Sequence, residues 1–346
     1  MVTTTRLITS SKVAPLFVLN RVLKGSAFKD ARYFILLDEN ILEHCLPRLV
    51  SQVESLQEAE FLEVPVGEEG KQIEIASQLW QALLESGADR DSVIVNLGGG
   101  SVSDLGGFVA AGFKRGIRYI NVPTTLLSMA DAAIGGKTAV DIGECKNQVG
   151  FFHSPVITCI DPVFLDTLPD DELLNGLFEV KKTSLLADMP FPAVKQLLSE
   201  IVVQCAQFKQ SVCKADPFDR GIRKMLNFGH TFGHAFESFF RNTGHPVSHG
   251  VAVGLGMWCE LYLSMKKLAL PEKVFSDYGS WLCQYVQLPH FSLQDTEQIL
   301  AYMRQDKKCS NGEILCVLLQ EVGTPVVDVA LDESEVRHTL LQMSRQ

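Results

Sequence analysis

Apolar and polar positions change rhythm about halfway along the chain. In the first half, short apolar runs alternate with stretches of helical spacing. Residues 32–37 read as a strand that stops at Asp38-Glu39-Asn40, and residues 59–66 read as a second. Apolar positions then recur at helical intervals between 71 and 87, followed by a third strand at 92–97 and a fourth at 117–122. Strands separated by helices of this length predict a parallel sheet with crossover helices. From about Pro169 the pattern becomes long helical stretches, with strand-like pieces only at 314–319 and 325–327. The segment 161–169 is the expected boundary, which predicts a Rossmann-like α/β domain over 1–168 and a mostly α-helical domain over 169–346.

Composition narrows the function classes. With 46% hydrophobic and 21% charged residues the chain has the balance of a soluble globular protein. No apolar run reaches membrane-spanning length and no signal-peptide apolar region opens the sequence, so the expected location is cytoplasmic and no membrane partner is expected. Nine scattered cysteines, never spaced CxxC, argue for reduced thiols rather than a disulfide framework or a zinc knuckle. A formal net charge of -10 without a basic stripe argues against nucleic acid as a partner. A small anion could still be gathered by a few cations, with Lys71, Arg115, Lys137, Lys146, Lys182, Lys209, Arg223, Lys307 and Lys308 as candidates.

Candidate chemistry concentrates in three places. The third strand runs into Gly98-Gly99-Gly100-Ser101-Val102-Ser103-Asp104, where glycines let backbone amides approach a pyrophosphate at a helix N-terminus. The stretch is not GxGxxG, and a glycine-rich turn without catalytic importance is the alternative. Asp38, at a strand end, suits a ribose hydroxyl or a plain turn. Gly135-Gly136-Lys137-Thr138 resembles the tail of a P-loop, but Asp131 stands where the first glycine is needed, which disfavours a kinase or ATPase and leaves an anion cradle. Lys146-Asn147 adds a cation and an amide, or is a solvated loop.

The third place is Asn227-Phe228-Gly229-His230-Thr231-Phe232-Gly233-His234, with His245 and His249 close behind. On a helix His230 and His234 share a face. Two histidines with one carboxylate from another helix, such as Glu179, would make a zinc site with an open position; the alternative is a plain core or surface pair hydrogen-bonded to backbone or to each other.

Taken in order, these segments resemble the 3-dehydroquinate synthase family of sugar-phosphate cyclases. The resemblance is carried by Pro65 to Lys71, Gly98 to Gly107, Phe113 to Gly116, Val122 to Leu127, Asp131 to Thr138, Lys146-Asn147, Phe164 to Pro169, Glu179 to Lys182, Arg223 to His234, His249-Gly250 and Asp306 to Lys308. It implies an NAD-binding α/β domain followed by a helical metal domain, with Glu179, His230 and His249 as ligands of Zn2+ or Co2+. His234 then belongs to the substrate rather than the metal. Asp131, Lys182 and Lys209 would hold substrate hydroxyls, and Lys137 with Arg223 the carboxylate. Asn147, Asn227, His234 and Lys307 would surround the phosphate, with Arg115 reaching in from the second subunit of a homodimer. Asp38, Asn40, Glu68, Lys71, Gly99, Gly100, Ser101, Asp104, Thr124, Thr125, Lys137, Lys146 and Thr167 would line the NAD+ site.

The implied reaction converts 3-deoxy-D-arabino-heptulosonate 7-phosphate to 3-dehydroquinate and phosphate. It proceeds by transient oxidation at C5, phosphate β-elimination, re-reduction and intramolecular aldol closure. Cyclases acting on neutral sugar phosphates are the alternative, and the Lys137 and Arg223 pair discriminates, because a carboxylate clamp serves only an acid. An alcohol dehydrogenase or a noncatalytic binding protein would have no use for the phosphate group of residues. Two positions depart from the family pattern. Lys181 replaces an apolar residue and is expected to lean toward solvent, about 100° round the helix from Lys182. Val251 stands where an acidic residue is usual after His249-Gly250.

Overall fold

The computed structural model describes residues 12–143, 145–191, 198–305 and 313–343. By contacts the chain forms two compact units: Met1–Leu173 with Pro192–Phe218, and Leu174–Phe191 with Asp219–Gln346. The helix Leu198–Ala215, which a boundary at 168 assigns to the second domain, packs in the first unit.

Unit 1 opens with β1 (Lys12–Pro15), α1 (Phe17–Leu23), β2 (Tyr33–Leu37), α2 (Glu39–His44), α3 (Leu46–Gln52) and β3 (Glu60–Glu63). It continues through α4 (Ile73–Glu85), β4 (Val93–Gly98), α5 (Gly100–Gly112), β5 (Arg118–Pro123), the hairpin strands β6 (Lys137–Ile142) and β7 (Cys145–Phe152), and β8 (Ile157–Ile160). Six strands form one parallel sheet in the order β1-β8-β5-β4-β2-β3, while β6 and β7 pair antiparallel with each other. The runs read from sequence at 32–37, 59–66, 92–97 and 117–122 correspond to β2, β3, β4 and β5. β4 is buried along its whole length, as a central parallel strand should be.

The strand order explains why the glycine loop follows β4. The chain leaves β2 for β3 on one side, then returns to place β4 on the other side of β2. The switch point, where open α/β sheets bind ligands, thus lies at the C-terminal ends of β2 and β4. Asp38 and Gly98–Gly100 stand at those two ends.

α5 is pressed onto the sheet. A Cβ at Gly106 would fall 1.8 Å from Asn96 Oδ1 on β4, so the close approach requires glycine. Asn96 Nδ2 donates to Asn121 Oδ1 on β5 at 2.9 Å and Asn121 Nδ2 to the Ala133 carbonyl at 2.9 Å, while Asn96 Oδ1 accepts no hydrogen bond among the described residues.

Behind the hairpin, His153 is buried, with its Nε2 3.0 Å from the Ile117 carbonyl and its own carbonyl accepting from Tyr119. Burial pushes its pKa below the ordinary histidine value, outweighing the Ile117 hydrogen bond. The unfolded chain therefore binds the extra proton first. Stability present above the unfolded pKa of about 6.5 is lost as pH falls through it toward the lower folded value, with a slope up to about 1.4 kcal/mol per pH unit. Denaturant titrations at pH 8 and pH 5.5 should show a larger loss in the wild type than in His153→Gln, and equal losses would refute this role.

The remaining elements are α6 (Asp170–Ala187), α7 (Leu198–Ala215), α8 (His230–Asn242), α9 (His249–Leu268), α10 (Glu272–Leu282), α11 (Leu293–Gln305), β9 (Ile314–Glu321), β10 (Thr324–Leu331) and α12 (Glu333–Met343). α7 packs in unit 1. α8, α10, α12 and β9 pack on α9, which is buried continuously from Ala252 to Ser264. β9 and β10 form a bulged antiparallel pair.

Candidate active site

In unit 1 the residues expected at a nucleotide form a connected network. Lys71 is buried at the end of the 3-10 turn Gly67–Lys71. Its Nζ donates to Asp104 Oδ2 at 2.7 Å and to Asn147 Oδ1 at 2.6 Å. Burial works against the ammonium, but Asp104, Glu68 and Asp141 outweigh it and raise the Lys71 pKa, so the charge persists. Lys146 Nζ lies 2.9 Å from Glu68 Oε2, and Ser101 Oγ donates to Glu68 Oε1 at 3.1 Å. Burial pushes Glu68 up, yet Lys71 and Lys146 bring it below the usual carboxylate value.

Asn147, expected beside phosphate, also joins this group, with its N–H donating to Asp141 Oδ1 at 2.8 Å. Lys146-Asn147 is not a solvated loop but part of β7. Asp141 was not read from sequence, because a lone aspartate in an alternating stretch gives no signal.

Other expected residues of unit 1 have definite places. Asp38 caps α2 by accepting from the Ile41 N–H at 3.1 Å, and burial raises its pKa. Asn40 lies exposed in the first turn of α2. Gly99 and Gly100 start α5, packed closely against Thr125 and Ala132. Thr124 is buried and donates its N–H to the Gly98 carbonyl, while Thr125 shares a hydroxyl hydrogen bond with Ser128. Thr167 is exposed at the end of the 3-10 segment Pro162–Thr167, and Arg115 is exposed with φ of 69°. Lys137 is the exposed first residue of β6. Lys209 on α7 pairs with Asp131 at 2.8 Å and also donates to its carbonyl.

Unit 2 assembles the metal candidates. Glu179 and Lys182 lie one turn apart on α6, both almost fully buried, with Lys182 Nζ 2.5 Å from Glu179 Oε2. Beyond that ion pair neither Glu179 oxygen accepts a hydrogen bond among the described residues, and Oε1 has no cation of its own. It faces His230 Nε2 and His249 Nε2, each at 3.7 Å. One donor atom from each of Glu179, His230 and His249 falls within 4.8 Å of the others. Ligands about 2.1 Å from a tetrahedral zinc stand roughly 3.4 Å apart, so the donor set and spacing fit such an ion.

Local structure explains the convergence. Gly229, at φ +80°, turns the chain into α8, and its N–H donates to buried Glu260 Oε2 on α9 at 2.6 Å. A Cβ at Gly256 would fall 1.9 Å from the Gly229 carbonyl, so α8 starts directly on the α9 backbone. His230 opens α8 and His249 opens α9. Ser248 caps α9, accepting from the Val251 N–H at 3.4 Å, and the Gly250 N–H donates to Asn175 Oδ1 on α6 at 2.6 Å.

His234 stands one turn along α8, its ring centroid 5.6 Å from that of His230 and 6.4 Å from that of His249. It is not one of the three convergent donors. His245 lies exposed between the helices. Arg223 is buried in the 3-10 segment Ile222–Asn227, which also carries Asn227. Lys307, with Asp306 and Lys308, lies outside the described residues.

Lys181 requires a correction. The rotation that carries it away from Lys182 turns it not to water but onto aromatic rings, 4.5 Å from the Phe191 centroid and 5.0 Å from that of Trp281. Burial there lowers its pKa, against the opposing charge of Asp277. The carboxylate facing His249 comes from Glu237 on α8, with Oε2 3.5 Å from His249 Nδ1. Burial opposes the His249 proton, but contact with Glu237 and the charge of Glu179 raise its pKa overall. Glu237 was missed from sequence although it lies two turns beyond His230, on the same face.

Two family profiles match, the 3-dehydroquinate synthase N-terminal profile over residues 61–175 and the C-terminal profile over 168–309. A 3-dehydroquinate synthase from Parabacteroides distasonis is 39% identical over 327 residues, covering 92% of this chain and 91% of that protein. The chain belongs to the 3-dehydroquinate synthase family. Among solved structures, a 2-deoxy-scyllo-inosose synthase complexed with carbaglucose-6-phosphate, NAD+ and Co2+ superposes with a TM-score of 0.83 at 22% identity. The alignment covers 97% of this chain and 98% of that one. A 2-epi-5-epi-valiolone synthase from Streptomyces hygroscopicus with NAD+ and Zn2+ bound gives 0.80 at 24% identity, covering 100% and 99%. These likenesses establish the dehydroquinate synthase-like fold. No helix among the described residues is long and apolar enough to cross a membrane.

Proposed function

We propose that the protein is a carbon-oxygen lyase that converts 3-deoxy-D-arabino-heptulosonate 7-phosphate to 3-dehydroquinate and inorganic phosphate. The observation that carries this reading is the 39% identity to a 3-dehydroquinate synthase over nearly the whole of both chains. NAD+ would supply a reversible hydride acceptor, and a divalent ion, Zn2+ or Co2+, would supply Lewis acidity toward a substrate oxygen.

Glu179, His230 and His249 would hold the ion, a role supported by their shared reach and by the Oε1 atom that accepts no hydrogen bond. Asp38, Asn40, Glu68, Lys71, Gly99, Gly100, Ser101, Asp104, Thr124, Thr125, Lys137, Lys146 and Thr167 would serve NAD+, supported by the Lys71 network and the switch point. Lys182, Lys209 and Asp131 would orient substrate hydroxyls, since each is already held by an ionic partner. Lys137 and Arg223 would bind the carboxylate. Asn147, Asn227, His234 and Lys307 are assigned to the phosphate, with Arg115 contributed across a homodimer. On this reading residues 1–168 form the NAD-binding domain and 169–346 the metal- and substrate-binding domain, in a cytoplasmic enzyme without nucleic-acid or membrane partners.

Purified protein with NAD+, Zn2+ or Co2+ and the heptulosonate phosphate should release phosphate and 3-dehydroquinate in equal amounts, without net NADH and not in the presence of chelator. Phosphate release only from a neutral sugar phosphate would transfer the protein to another cyclase class.

A further inference from the structure

A histidine offers two ring nitrogens, and a metal site works only if the correct one faces inward with its lone pair available. In both candidate ligands Nε2 faces Glu179 Oε1. The outer nitrogen of His230 is held by the Phe228 carbonyl, 3.1 Å from Nδ1. That carbonyl belongs to the same turn and needs no other element. Among the described residues no backbone carbonyl takes that place beside His249. That histidine begins α9, its side chain is 33% exposed against 12% for His230, and the group at its Nδ1 is Glu237 Oε2 from the facing helix.

We infer that Glu237 is the positioning residue of the metal centre: by accepting from His249 Nδ1 it fixes the tautomer that turns Nε2 toward Glu179. The inference rests on the metal-centre reading above and adds a residue outside the assigned set. A carboxylate acceptor demands a donor at Nδ1, which leaves the lone pair on Nε2, and it also raises the basicity of the ring as a ligand. The arrangement is reciprocal. α8 supplies the carboxylate that orients the ligand of α9, while α9 supplies Glu260, which pins the turn presenting the ligand of α8. α8 and α9 approach closely at Gly229 and Gly256, where a Cβ on Gly256 would fall 1.9 Å from the Gly229 carbonyl.

The test uses metal-stripped full-length protein and Zn2+ competed against a chromophoric chelator, so that no turnover is needed. Glu237→Leu should weaken Zn2+ binding about 10- to 100-fold, with Glu237→Gln between it and the wild type, because the amide oxygen can still accept. The Co2+ absorption band should shift in the same order. Thermal unfolding of each metal-stripped variant reports the fold separately. If the leucine variant fails to fold, the glutamine variant decides alone. Equal Zn2+ affinity in wild type and folded variants would overturn the inference. A wild type with no Zn2+ affinity would remove the metal-centre reading and this inference together, whereas Zn2+ binding without heptulosonate turnover would overturn only the proposed reaction.

Discussion

Glu179→Ala protein should be purified without bound metal, should show no turnover even with excess Zn2+, and should unfold at lower denaturant than the wild type. Two consequences of one substitution combine. Metal affinity falls by more than the roughly 100-fold expected from losing an outer-sphere partner, because an anionic donor is removed outright. Lys182, 1% exposed and 2.5 Å from Glu179, is left as a buried ammonium without its carboxylate. Breaking a buried pair from one side typically costs about 3–5 kcal/mol. Glu179→Gln separates the effects, since the amide oxygen keeps a dipole facing Lys182 while the ligand charge is gone. Elemental analysis together with urea unfolding of both variants measures this, and full metal content in either would refute the assignment.

Lys71→Met should have the largest effect in unit 1. The ammonium is 4% exposed and faces Asp104, with Glu68 and Asp141 nearby. Methionine fills the space but leaves these carboxylates to repel one another. A loss of about 3–5 kcal/mol is expected. NAD+ affinity should fall with it, because Asn147 and Asp104 lose the group that holds them. The folded pKa of Lys71 is raised, so its contribution is complete below the unfolded value of about 10.4 and is lost only as pH rises through the folded value. The penalty should therefore be uniform across neutral pH. Denaturant titration and NAD+ calorimetry between pH 6 and 8 test both parts, and an unchanged unfolding midpoint would exclude the network as a source of stability.

The sequence was most legible where burial writes a simple pattern. β4 and β5 stand out as apolar runs because both faces are covered, and the glycine loop stands out because it interrupts one of them. β1, the β6 and β7 hairpin and β8 escape this pattern; β8, though buried throughout, is only four residues long. The four residues of β1 are half exposed, and β7 is exposed along most of its length, so neither carries a buried periodicity. At the metal centre, helical spacing pairs His230 with His234. The convergent donor is His249, which reaches His230 through the packing of α8 on α9, a relation that one-helix periodicity cannot express. The resemblance to a family supplied that residue. Lys181 was misjudged for a related reason. A helical angle gives direction but not what lies there, and here Phe191 and Trp281 lie there.

The sheet order also governs how the chain can fold as it is synthesised. Among the described residues β1 is the first strand made, and it pairs only with β8, some 140 residues later. α7, which belongs to the same unit, follows only after α6 has been made. The nascent first unit must therefore carry an uncovered strand until residue 160 emerges, and it completes its contacts only after part of the second unit has left the ribosome. Chains that close such distant pairs fold slowly and expose sticky edges meanwhile. A truncation at residue 173 would accordingly leave an aggregation-prone fragment, because it lacks α7.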